Sequence, residues 1–250
     1  MSPGRRLAGV HRERLAEANG RTNVEGDPVD LVHTLYEPAG PGPHPTIVAL
    51  HGWGASAFDL MGLAPYLGGG GFQVICPQGP LEVPLGVESA VGYGWFPLSA
   101  VQPAIEGPIE EAAALLERFL DAALARYAVD PRKIVLLGFS QGGVLAYRLA
   151  LAAPRRYAGL AALSSWLPPQ MLANLPDAEG REELPTFVQH GTGDEIIAVA
   201  RAQQSFESLR AMRVPVSYRE YEMGHEINAE SLTDLTRWLE EKVRSPIILV

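Results

Sequence analysis

Apolar and polar positions in this chain follow two periods that take turns from end to end. Thr46 to Leu50, Phe72 to Cys76, Ile134 to Leu137, Leu160 to Leu163 and Thr186 to Gln189 are short, nearly unbroken apolar runs, the pattern of strands buried on both faces. Val29 to Tyr36 alternates apolar with polar, as an edge strand would, and Val216 to Tyr221 reads as the last strand. Glu106 to Tyr127 sets Ile109, Ala113, Leu116, Leu120 and Leu124 on one helical face. Gly143 to Ala150, Ala198 to Met212 and Ala229 to Val243 read as helices too. Asp59 to Leu67 reads as a short helix closed by the glycine run 68–71. Residues 78–104 and 164–184 carry no clear period, and loops of such length in compact domains are more often functional than idle. Strands alternating with helices predict a doubly wound, mostly parallel sheet with helices on both faces. Residues 28–244 read as this one α/β domain, 1–27 as an N-terminal extension with a weak helix, and 245–250 as an apolar tail that packs on the domain or pairs with another chain.

Composition narrows the function classes. A chain of 250 residues, 47% hydrophobic, suits one domain with a large core. The net charge of −9 and the lack of a basic run speak against a nucleic-acid partner. The single cysteine, Cys76, excludes a disulfide framework or a Cys-based metal cluster within the chain and reads as a small buried hydrophobe. The N-terminus lacks the apolar stretch of a secretory signal, and no run approaches the roughly 18 apolar residues of a membrane span. The expectation is a cytoplasmic protein with no transmembrane segment; the tail and the aromatic loops leave room for a homodimer without requiring one.

The chemistry starts at Gly138-Phe139-Ser140-Gln141-Gly142, between an apolar strand pattern and a helix pattern. Gly-x-Ser-x-Gly in that context is a nucleophile elbow, whose tight turn holds the serine Oγ out at the top of the sheet. It also places the Gln141 N–H at a helix N-terminus, where developing negative charge is favoured. A nucleophilic serine needs a base, and the base needs an acid to fix its tautomer. In α/β-hydrolases the chain order is serine, acid, histidine, and only His190 and His225 follow Ser140. His190 ends a strand in His190-Gly191-Thr192-Gly193-Asp194, where it can shape the turn that bears an acid. His225 follows the last strand, in Met223-Gly224-His225-Glu226. The expected set is therefore Ser140 as nucleophile, Asp194 as acid with Glu195 as its rival, and His225 as base. Backbone N–H groups of Gln141 and Trp53, the latter in His51-Gly52-Trp53-Gly54, are the expected oxyanion donors, and His51 is expected to be structural.

These residues carry a resemblance. Leu50-His51-Gly52-Trp53-Gly54, Pro77-Gln78-Gly79-Pro80, Gly94-Trp95-Phe96, the elbow with Gly143, Leu163 to Pro168, His190 to Asp194 and Tyr221 to His225 resemble, in order, the phospholipase/carboxylesterase family of α/β-hydrolases. That family includes acyl-protein thioesterases and small bacterial carboxylesterases. The resemblance covers residues 29–243 and implies serine-dependent hydrolysis of carboxylic esters or thioesters of small-molecule substrates, with no metal and no cofactor. Two departures favour simple esters over protein depalmitoylation. Trp53 and Ala55-Ser56-Ala57 stand where the thioesterase branch carries an aliphatic residue and an acidic turn, and Ser165 stands where the family usually has glycine.

Trp95, Phe96, Trp166, Leu167, Ile197 and Met223 are the expected substrate pocket, as apolar residues on loops at the catalytic edge. With no large lid insertion, the expected substrates are short- to medium-chain esters. An acyl thioesterase or lysophospholipase would use the same residues. A dienelactone-hydrolase-like enzyme would need cysteine at position 140, a related peptidase would need an added domain, and a non-catalytic binding module would usually show a broken triad.

Overall fold

The structure is a computed structural model that describes residues 31–86, 90–98 and 106–244. The N-terminal extension and the apolar tail lie outside the described residues. Seven strands form one sheet: β1 (His33–Tyr36), β2 (His44–Leu50), β3 (Gln73–Pro77), β6 (Val129–Phe139), β7 (Gly159–Leu163), β8 (Thr186–Gly191) and β9 (Val216–Tyr221). Their spatial order is β1-β3-β2-β6-β7-β8-β9. All neighbours run parallel except β1, which pairs antiparallel with β3 at the edge. A separate hairpin joins β4 (Leu81–Pro84) to β5 (Val91–Gly94). The longer helices are α1 (Glu106–Arg126), α2 (Gln141–Ala152), α4 (Val199–Ala211) and α5 (Ala229–Leu239); α3 (Pro169–Ala173) is a short helix between β7 and β8.

The two-residue period of the strands divides the core in two. Val48, Leu50, Ile134, Leu136, Leu160 and Val188 meet α1 and α2 through Ile109, Leu116, Leu120, Val144 and Leu145. Their neighbours Ile47, Ala49, Val135, Leu137, Ala161 and Phe187 face the other way, onto Leu60, Leu67, Phe72 and the α5 residues Leu235 and Trp238. Successive side chains of a strand point to opposite faces, so a run that is apolar throughout must be covered on both. This is why β7 and β8 are buried along their whole length. Each fully buried Leu or Ile contributes about 1.5–3 kcal/mol.

Local structure departs from expectation at three places. Residues 59–67 form no α-helix; 3-10 turns at Met61–Leu63 and Leu67–Gly70 take its place. Pro65 interrupts the stretch, having no N–H to donate. The loop expected at 78–104 contains the β4–β5 hairpin, which is too short and too rich in glycine and proline to show as alternation. The last helix ends at Leu239 and runs on as a π-helical turn to Arg244. At its other end Asn228 Oδ1 accepts from the Ser231 N–H at 2.9 Å and Ser231 Oγ accepts from the Asn228 N–H at 3.1 Å. This capping box anchors the loop that carries His225.

The carboxyl ends of β2, β6 and β7 are pressed together at the elbow. A Cβ on Gly142 would overlap the carbonyl of Leu50, and one on Gly138 would overlap the backbone of Gly142. Backbone cannot yield as a flexible side chain can. Gly142→Ala should therefore cost more than about 3 kcal/mol of stability, read as a lowered urea midpoint. A midpoint unchanged from wild type would mean the close approach is wrong.

Candidate active site

Ser140 sits between the last residue of β6 and the first of α2, at φ 53° and ψ −119°. A residue other than glycine in this region costs about 1–3 kcal/mol, and such strain persists only where the surroundings enforce it. Here three hydrogen bonds hold it. The Ser140 N–H donates to Leu163 O at 2.9 Å, and Ser140 O accepts from the Gly143 N–H at 2.9 Å and from Ser165 Oγ at 2.7 Å. Ser165, which in sequence stood out only as a departure from the usual glycine, thus braces the elbow with its hydroxyl. The Gln141 side chain ties the start of α2 to the 95–96 segment: Oε1 accepts from the Trp95 N–H at 2.9 Å and Nε2 donates to Phe96 O at 2.6 Å.

The loop after β2 lies along the elbow. A Cβ on Gly52 would come within 3.2 Å of both Phe139 and Ser140. His51 is buried and donates from Nδ1 to Gly52 O at 2.7 Å, while Nε2 accepts from the Gly79 N–H at 2.9 Å. This pair of bonds demands the neutral ring, and burial pushes the His51 pKa down. His51 is therefore a brace for the loop. The hairpin clamps the loop from its other side. Gly54 N–H donates to Tyr93 O and Tyr93 N–H to Ala55 O, both at 2.8 Å. Gly92 is required there, because a Cβ would run into the Gly54 carbonyl. The Trp53 indole covers Gly94 on the same hairpin.

Asp194 follows β8 with its side chain fully buried. Oδ1 accepts from the N–H groups of Ile196 at 2.9 Å and Ile197 at 2.8 Å. Oδ2 accepts from His225 Nδ1 at 2.7 Å, and His190 Nε2 lies 3.2 Å from it. Burial pushes the Asp194 carboxyl up, but the bonds from Ile197, His225 and Ile196 outweigh it and hold the group below the ordinary carboxylate value. The rival acid, Glu195, is exposed. The His225 ring packs on Phe139 with centroids 4.9 Å apart.

Ser140 and His225 open onto one cavity of about 310 Å³, together with His51, Gly52 and Trp53. Its apolar walls are Ala55, Leu60, Leu63, Phe139 and Ile227, and Asp59 is the carboxylate among its lining residues. None of the six residues expected to form the pocket lines this cavity. Trp95, Phe96, Trp166, Leu167, Ile197 and Met223 are all buried. They are packing residues: the Trp95 indole N–H donates to His51 O at 2.9 Å, Arg201 lies over Trp166 at 5.0 Å, and the Leu167 N–H donates to Ser205 Oγ. The wall comes instead from the irregular 55–63 stretch, whose apolar spacing looked helical. Among the described residues, no His, Cys, Asp and Glu side chains form a group of three or more that could hold a metal ion. Nor is any helix there long and apolar enough to cross a membrane.

The Asp194 carboxyl gives a pH prediction with a definite sign. Its folded pKa lies below that of the unfolded chain, about 4, so ionised Asp194 stabilises the fold above that pH and the contribution fades as pH falls through and below it. The stability gap between wild type and Asp194→Asn, from urea unfolding at pH 3 to 7, should narrow toward the acid end. A gap independent of pH would sink this account.

Comparison with known proteins agrees with the geometry. A profile of the phospholipase/carboxylesterase family matches residues 36–243. A probable carboxylesterase, SOBER1-like, of Arabidopsis thaliana is 27% identical over 175 residues, which span 68% of this chain and 65% of that protein. Acyl-protein thioesterase 1 of Cryptococcus neoformans is 25% identical over 80% of this chain and 92% of its own length. Among solved structures, esterase PE8 superposes with a TM-score of 0.74 at 24% identity, covering 86% of this chain and all of that one. The Bacillus cereus carboxylesterase superposes with a TM-score of 0.71 at 21% identity, over 85% of this chain and 94% of its own. With the parallel sheet and the Gly-x-Ser-x-Gly turn at its carboxyl edge, the match across almost the whole described domain places the chain in the phospholipase/carboxylesterase family of α/β-hydrolases.

Proposed function

We propose that this protein is a serine carboxylesterase that hydrolyses short- to medium-chain esters through an acyl-enzyme on Ser140. The observation that carries the reading is the 2.7 Å bond from His225 Nδ1 to buried Asp194, with His225 and Ser140 on one cavity. With Nδ1–H committed to the carboxylate, Nε2 is the lone-pair nitrogen that can take a proton. In the proposed mechanism His225 takes the Ser140 hydroxyl proton as Oγ attacks the ester carbonyl. The N–H groups of Trp53 and Gln141 receive the oxyanion. Asp194 stabilises the imidazolium that forms, a role its lowered pKa suits. The alcohol then leaves with the proton from His225, and water, activated by the same ring, releases the acid and frees Ser140.

The acyl preference rests on the cavity. Apolar walls favour an alkyl chain, and about 310 Å³ is at the small end of ligand pockets. Thioester hydrolysis would use the same atoms, and the thioesterase name of the Cryptococcus relative favours it. An oxyester and a thioester of one acyl group, compared by kcat/KM, separate the two.

On p-nitrophenyl esters from acetyl to palmitoyl, activity should peak at four to eight carbons or so. Ser140→Ala should lose about 10⁶ in kcat while remaining folded. A folded wild type inactive on the whole series, or an active Ser140→Ala, would refute the reading. Ile227→Trp should narrow the cavity and move the optimum toward acetyl, measured as the ratio of butyrate to acetate kcat/KM. An unchanged ratio would mean the acyl chain lies elsewhere.

A further inference from the structure

The proposed mechanism leaves one histidine beside the reacting groups without a task. The His190 side chain is fully buried at the end of β8. Its Nε2 lies 2.7 Å from Ile197 O and 3.2 Å from Asp194 Oδ2. Both are acceptors, so Nε2 carries a proton; its hydrogen bond goes to Ile197 O, and Asp194 Oδ2 stands beside it at ion-pair distance. The other nitrogen, Nδ1, is buried and meets no partner among the described residues, as suits a neutral ring whose single proton is on Nε2. Glu220 pairs with His190 across β8 and β9, and its Oε1 accepts from the Tyr218 hydroxyl and from Gln203 Nε2.

Ile197 completes the arrangement. Its N–H donates to Asp194 Oδ1 at 2.8 Å while its carbonyl accepts from His190. Two hydrogen bonds thereby run in series, from His190 to Ile197 O and from the Ile197 N–H to one carboxylate oxygen, and the other carboxylate oxygen lies 3.2 Å from His190 Nε2. A carboxylate held at both oxygens cannot turn about its Cβ–Cγ bond without breaking two bonds. Only Oδ2 also faces His225 Nδ1. An apolar residue at position 190 would pack, but it would leave the buried Ile197 carbonyl unpaired and remove the polar neighbour of Asp194 Oδ2.

We propose that His190 is a positioning residue for hydrolysis: by holding the Ile197 peptide against one oxygen of Asp194 and standing beside the other, it fixes the plane of the carboxylate, and through it the tautomer and aim of His225. The inference rests on the proposed roles of Asp194 and His225. It differs from a merely packed strand-end histidine because it predicts an effect on the proton between those two residues.

The test compares full-length wild type, His190→Leu, which keeps bulk but has no donor, and His190→Gln, whose amide N–H can reach the Nε2 position. Two readouts are taken: kcat and KM on p-nitrophenyl butyrate, and the low-field proton NMR signal of His225 Nδ1–H, assigned by its loss in a His225→Asn control. The Leu variant should lose about 10- to 100-fold in kcat, the size of loss seen when a residue that orients a reacting group is removed, with KM within about twofold, because the group acts only on the chemical step. Its low-field signal should move upfield or broaden, and the Gln variant should recover both readouts. Wild-type kcat and an unshifted signal in the Leu variant would overturn the proposal. So would equal losses in Leu and Gln with the signal unchanged in both. Should the Leu variant not fold, His190→Asn, whose amide cannot reach the Nε2 position, is read in its place. An inactive wild type would refute the esterase reading, and an unshifted signal in the Leu variant would then also overturn the hold of His190 on the Asp194–His225 pair, whereas a shifted signal would support that hold alone.

Discussion

Ser140 must hold a backbone conformation that side-chain-bearing residues avoid, and much of the surrounding structure serves that requirement. At φ 53° and ψ −119° the strain is about 1–3 kcal/mol. The three hydrogen bonds to its N–H and carbonyl, each worth about 1 kcal/mol net, offset a penalty of that size. They come from two parts of the chain: the end of β7 with Ser165 just beyond it, and the first turn of α2. The conformation is therefore a property of the assembled sheet. The absent side chains at Gly138 and Gly142 let β2, β6 and α2 approach closely enough to impose it.

A second constraint is a buried charge. Asp194 is withdrawn from water, which costs several kcal/mol for a carboxylate, and it survives because both oxygens are occupied by donors. Hydrogen bonds to a charged acceptor are worth about 1.5–3 kcal/mol each, enough to reverse the effect of burial and keep the carboxyl ionised. The two backbone donors come from the turn right after Asp194 itself. Only the imidazole donor arrives from elsewhere, His225 from beyond β9. The surroundings of Asp194 are thus mostly local, and its link to Ser140 is tertiary.

The third element is the hairpin that holds the loop after β2. His51-Gly52-Trp53-Gly54 is fixed on one side by the buried, neutral His51 and on the other by the backbone of Tyr93. Donors for a developing oxyanion are effective only when already in place, and this pairing supplies rigidity to a glycine-rich loop that would lack it alone. The same loop and the irregular turns after it form much of the cavity wall, so the size of the cavity and the placement of the proposed oxyanion donors are set together.

Much of this was legible in the chain. The unbroken apolar runs could only be strands covered on both faces, because a two-residue period sends every second side chain to the opposite layer. The glycines around Ser140 marked a turn with no room for side chains, and the chain order pointed to His225 as the expected base. The β4–β5 hairpin was hidden because Pro84 and Gly92 to Gly94 break its alternation, and its stability comes from pairing with Gly54 and Ala55, far away in sequence. The expected pocket residues were apolar and near the catalytic edge, but nothing in sequence tells a loop side chain that turns inward to pack from one that turns toward substrate. Trp95 and Trp166 turned inward, and Leu60, Leu63 and Ile227 took the wall. Local pattern, glycine placement and residue order thus determined the sheet and the identities of Ser140, Asp194 and His225 as the groups to watch. Which side chains line the cavity, how Ser165 braces the elbow and how His190 closes on Asp194 were decided only in three dimensions, because each depends on contacts between segments that packing, and no local rule, brings together.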